Sequence, residues 1–161
     1  MRKIFLSLFI LSTVLVFAQA SVCGQFHRTY CAVDGKRAKT GWQYNAQSKS
    51  GLFNQGMTSK IRCVIYKGMD YRINVCCETS LGDKLNYKIF DAKTNELLYD
   101  NAAAENAPMF EFQSTSTRQL IIEVSVPAGA TSQDKHKPVD AACVGLLIEH
   151  KVTDKQGFSQ Y

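Results

Sequence analysis

Several absences narrow the field before any residue is singled out. The 161-residue chain contains no Gly-x-Ser-x-Gly, no His-Glu-x-x-His and no glycine-rich phosphate loop, so the familiar sequence seats of acyl transfer, zinc hydrolysis and nucleotide binding are missing. Beyond the N-terminus no apolar run reaches the roughly 18 residues needed to cross a bilayer. Basic residues alternate with acidic ones instead of forming a stripe, which removes the electrostatic footprint of a nucleic-acid binder. No Asn-x-Ser/Thr glycan acceptor occurs. A sustained 3.6-residue apolar period is also missing outside the N-terminus, so little helix is expected.

What is present starts with Met1-Arg2-Lys3, an apolar run from Ile4 to Phe17, and Ala18-Gln19-Ala20. A basic start, a short apolar stretch and a small-x-small site predict a secretory signal peptide over 1–20, with the folded protein beginning at Ser21. Removing it leaves 141 residues, enough for one domain. Loss of Arg2 and Lys3 leaves 17 basic residues against 14 acidic ones, so the net charge falls from +5 to +3. Residues 21–151 are expected to fold, and 152–161 to form a polar, flexible tail. The expected location is the periplasm or the extracellular space, with no membrane insertion after cleavage. Ala20-Ser21-Val22 before Cys23 also lacks the usual pattern for lipid attachment.

All six cysteines, Cys23, Cys31, Cys63, Cys76, Cys77 and Cys143, follow the cleavage site and therefore meet an oxidising compartment. A Cys23–Cys31 link would tie down an N-terminal segment with little apolar area to bury. Adjacent Cys76 and Cys77 point to opposite faces of a strand, so each needs its own partner. One is expected to meet Cys63 and the other Cys143, the choice staying open.

From Gly56 onward, apolar residues recur at every second position in short runs broken by Gly, Asp, Asn and Ser. Ile61, Cys63 and Ile65 form one set, and Tyr71, Ile73, Val75 and Cys77 another. Flanking Lys67-Gly68-Met69-Asp70, the two runs predict a hairpin, but a two-residue turn would put their apolar sets on opposite faces. An odd-length loop or bulge is therefore expected. Further strands are expected over 84–90, 96–99, 109–112, 119–126 and 142–150, after an N-terminal part of loop and edge strands. The whole predicts an all-β, antiparallel, jelly-roll-like β-sandwich of seven to eight strands, stapled by disulfides.

The runs Tyr66-Lys-Gly-Met-Asp-Tyr71-Arg-Ile73, Leu85-Asn-Tyr87-Lys-Ile89-Phe90-Asp91, Leu98-Tyr99-Asp100-Asn101 and Leu120-Ile-Ile-Glu-Val124-Ser-Val126 resemble the small exported bacterial sandwich domains of the pre-peptidase C-terminal type. The resemblance covers about half of the mature chain. It implies a non-catalytic domain, similar in shape to carbohydrate-binding modules.

Four constellations could carry chemistry. Cys23-x3-His27-x3-Cys31 would put three soft donors on one side of a helix, but disulfide formation competes with zinc, and no metal is assigned. A reactive thiol with His27, His136 or His150 as base would have to stay reduced. Asp91, Asn95, Asp100, Asn101 and Glu105 offer oxygen ligands for calcium, although Asp and Asn more often build the turns themselves. Finally, Tyr30, Trp42, Tyr44 and Phe53 could form an aromatic platform for sugar rings, with Gln43, Asn45 and Gln47 as hydrogen-bonding neighbours, or Trp42 could fill the core, the more favoured reading. The sequence thus predicts a non-enzymatic, cofactor-free exported binding or structural protein. Its expected partner is a protein of the cell envelope, contacted through sheet edges and the 127–140 loop. The alternative is a polysaccharide bound around Trp42, Tyr44 and Tyr30.

Overall fold

The computed structural model describes residues 22–32, 41–81, 85–129 and 141–153. The predicted signal peptide, His136, residues 130–140 of the predicted contact loop and the tail from residue 154 lie outside them. The first described element is a short helix, α1 (Phe26–Tyr30), followed by β1 (Gln43–Tyr44), β2 (Lys49–Asn54), β3 (Thr58–Ile65), β4 (Met69–Cys77) and β5 (Asn86–Asp91). β6 (Leu97–Asp100), β7 (Met109–Ser114), β8 (Arg118–Ser125) and β9 (Ala141–Val152) complete it.

The strands form two antiparallel sheets. In sheet A, β9 lies between β4 and the β1/β2 pair, and β7 pairs with the far side of β4. Sheet B runs β3-β8-β5-β6. From β2 onward this is the strand order of a jelly roll. Among the described residues nine strands appear where seven or eight were expected, because β1 and β2 both pair with β9 but are separated by a kink at 45–48. There Ser48 Oγ accepts the Ile148 N–H at 2.9 Å, a side chain replacing a ladder bond.

Alternation builds the core between the sheets. Tyr71, Ile73 and Val75 of β4 and Val144, Leu146 and Ile148 of β9 face Tyr87 and Ile89 of β5 and Leu120, Ile122 and Val124 of β8. The expected β3–β4 hairpin does not form: β3 pairs with β8 and β4 with β7 and β9. The turn at Lys67-Gly68 instead carries the chain from one sheet to the other, with Gly68 in the left-handed region at φ +79°. This resolves the parity conflict, since strands in facing sheets can both turn their apolar sets inward without sharing a face.

β9 is buried on both sides from Ala142 to Glu149. Its outward side is covered by α1, which two disulfides fasten to sheet A: Cys23–Cys143 on β9 and Cys31–Cys76 on β4. Gly145 lies between them and lets the helix sit down, for a Cβ there would fall 2.5 Å from Cys31 Sγ and 2.9 Å from His27 Cα. The Cys23–Cys31 link expected from sequence is thus replaced by two long-range bridges. The segment does not fold onto itself; it needs the sheet for its apolar contacts. Cys63 and Cys77, both expected in disulfides, lie outside both bridges and pack with the core between the sheets.

Candidate functional site

Two surfaces stand out, one on the outer face of sheet A and one along its β7 side. On the outer face, Trp42 precedes β1, half-buried, with the Arg72 guanidinium 4.7 Å and the Lys151 ammonium 5.0 Å from its ring centre. The favoured core-filling reading of Trp42 is overturned: it joins neither apolar cluster. Beneath it, Nη2 and Nε of Arg72 donate to Glu149 Oε2 at 2.8 and 2.9 Å, and Glu149 is fully buried. Such a pair survives burial only with close geometry, and the indole covering it also contributes a cation–π contact. Trp42, Asp70, Glu111, Phe112, Gln113, Lys151 and Thr153 line an open cleft of about 380 Å³. Within it the Thr153 hydroxyl donates to Asp70 Oδ1 at 2.7 Å, and Lys151 lies 3.8 Å from Asp70 Oδ2.

The other aromatic candidates do not share this cleft. Tyr44 is held by His27 Nε2, 3.1 Å from its hydroxyl, and its ring is covered by Arg28 at 4.0 Å. Tyr30 is 68 % exposed and leans on Phe26, while Phe53 is buried in the core. The expected platform therefore divides, with Trp42 alone at the cleft. His27 does sit on a helix between two cysteines, but both sulfurs are in disulfides, and among the described residues no group of His, Cys, Asp and Glu is arranged to hold a metal. Its Nδ1 lies 2.6 Å from Ser50 Oγ, which also accepts the His27 backbone N–H at 2.9 Å. These bonds anchor α1 to β2. Burial pushes the Cys63 thiol up to about 11, leaving little of the thiolate a nucleophile needs.

The acidic turns are occupied by backbone. Asp91 Oδ1 accepts the N–H groups of Lys93 and Thr94, which together with Arg118 hold its carboxyl below the usual range. Asp100 caps the following turn through Ala102 N–H, and buried Asn101 accepts from Tyr87 N–H while donating to the Leu85 carbonyl. Asn95 and Glu105 adopt left-handed φ of 58° and 55°.

The second surface is the flank where β6 faces β7. Between the pairs Ile89–Tyr99 and Phe90–Leu97 the register slips by one, leaving Leu98 as a bulge. Leu97 and Leu98 are 49 % and 41 % exposed. Leu98, Phe110, Phe112 and Arg118 help line a groove of about 190 Å³ between the sheets. Behind it, Tyr99, Phe110, Phe112 and Tyr71 form a row of rings with successive centres 3.9, 5.4 and 5.7 Å apart. Sequence reasoning placed Phe110 and Phe112 in the core; they pack against it but are only partly buried. Leu97-Leu98 could have flagged this flank, being adjacent apolar residues on a short strand without a lysine or proline.

Among the described residues no helix is long and apolar enough to cross a membrane. No family model matches the chain, and no curated protein matches it. Among solved structures it is similar to a periplasmic lysozyme inhibitor of g-type lysozyme from Aeromonas hydrophila, with 12% identity and a TM-score of 0.45, over 65% of this chain and 84% of that one.

Proposed function

We propose that this is an exported, non-catalytic binding protein that engages a protein partner along its β6–β7 flank. The observation carrying this reading is the exposed Leu97-Leu98 pair on an edge strand beside the groove lined by Phe110 and Phe112. Exposed apolar side chains scattered singly are ordinary, but a cluster against a groove at an open edge is a docking feature. Among the described residues β6 is bonded only to β5, so its other side offers a place for strand addition, with the groove taking a large apolar side chain. Two disulfides fit assembly in an oxidising compartment.

The test is photo-crosslinking in the producing cell from a benzophenone residue at position 98, with position 62 on the opposite edge strand as the comparison. A discrete adduct from 98 and none from 62, lost in a Leu97→Lys background, is the expected result. Equal labelling from both positions would sink the reading. Purified candidates should include a second copy of this chain, whose pairing would appear as a dimer on ultracentrifugation, and a g-type lysozyme.

A further inference from the structure

We infer that the Trp42 cleft is a saccharide site, separate from the β6–β7 flank and taking a short chain of neutral pyranose rings. Three observations converge. First, the chain's single tryptophan is half-buried on the outer face of sheet A, where its ring is fixed by Arg72 and Lys151. Arg72 is in turn fixed by buried Glu149. A ring held in this way is a preorganised stacking surface, because its orientation costs nothing further on binding.

Second, the rest of the lining suits a polyol. Asp70 and Glu111 offer carboxylate acceptors, Gln113 both an acceptor and donors, Lys151 a donor and Thr153 a hydroxyl. Glu111 and Gln113 occupy alternate positions of β7 and so project from the same face of the strand. Glu111 is 3.7 Å from Arg72 and its side chain is 48 % exposed, leaving carboxylate surface for hydroxyl groups. Third, the cleft is open and measures about 380 Å³, within the roughly 300–1,000 Å³ range of small-molecule sites. Opposite charges alternate around it, Asp70 and Glu111 against Lys151 and Arg72. That balance favours a neutral ligand over an anionic or cationic one.

Because Trp42 is the chain's only tryptophan, indole emission reports on this cleft alone. The mature, disulfide-bonded protein should be titrated with cellotriose, maltotriose and chitotriose. The expected result is a saturable emission change with at least one of them. Half-saturation should rise about tenfold in Glu111→Gln, the loss of a charge-assisted hydrogen bond, or in Gln113→Ala, the loss of the amide's bonds, while the melting temperature stays unchanged. Calorimetry on Trp42→Phe should show the affinity falling by a similar factor, and Leu98→Lys should bind sugar as the parent does. Flat emission with all three sugars, or equal affinity in the Glu111 and Gln113 variants and the parent, overturns the proposal and leaves Trp42 as a cover for the Arg72–Glu149 pair. Neither result bears on the cross-linking test at position 98.

Discussion

The two flanks of the sandwich treat the same problem in opposite ways. Where β2 faces β3, the open edge of β3 is closed: the Gln47 amide donates to the Val64 carbonyl at 2.9 Å and accepts its N–H at 2.7 Å, like one rung of a ladder crossing between sheets. Lys60 and Arg62 on the same strand add charges that discourage pairing with another chain. Where β6 faces β7, no such side-chain rung appears among the described residues, and the edge is limited only by the four-residue length of β6 and its bulge. β6 reads Leu-Leu-Tyr-Asp, and a bulge turns an extra leucine toward the gap. An edge bridged by Gln47 on one flank and an apolar, unbridged edge on the other give the docking proposal its physical basis.

The largest effects are expected on β9, where sheet A is covered from outside by Trp42 and α1. Glu149→Ala leaves Arg72 buried with only the half-exposed Glu111 carboxylate, 3.7 Å away, as a counter-charge, and should cost about 3–5 kcal/mol of stability in urea unfolding. Gly145→Ala forces a methyl group against Cys31 Sγ and the helix backbone and should cost about 1–3 kcal/mol, read as a lowered urea midpoint. Gln47→Ala should cost about 1 kcal/mol, and hydrogen exchange should accelerate at the Val64 amide while neighbouring core amides stay protected. On the open flank, the lowered carboxyl of Asp91 beside Arg118 stabilises the fold above the unfolded-state value of about 3.9. That contribution disappears as pH falls through the folded-state value, so Asp91→Asn should flatten the acid limb of a melting-temperature profile. Leu97→Lys, at an exposed position, should change stability by no more than about 0.5 kcal/mol while abolishing the cross-link from position 98, which separates contact from folding.

Strand identity was legible because one face of most strands is dry and the alternation is clean. Leu120, Ile122 and Val124 of β8 are an example, and β8 and β9 begin and end within a few residues of the sequence reading. Pairing was less legible. Ile61-Cys63-Ile65 and Tyr71-Ile73-Val75 say that each strand faces a core, but not that they face it from opposite sides, a choice set by the crossing at Gly68. The disulfide partners were hidden for a related reason: Cys23 and Cys143 meet only once α1 lies across β9, a contact permitted by Gly145. The fate of Trp42 was invisible because it depends on the Arg72–Glu149 pair, whose members are far apart in sequence and adjacent only in register.

The Cys23–Cys143 bridge spans 120 residues and joins the start of the described chain to its last strand. Tension applied between Cys23 and the part of β9 beyond Cys143 would cross the sulfur–sulfur bond, so the segments between the two cysteines would carry almost no load. Under oxidising conditions residues 24–142 should therefore add no length under such a pull until a reductant has opened that one covalent clasp.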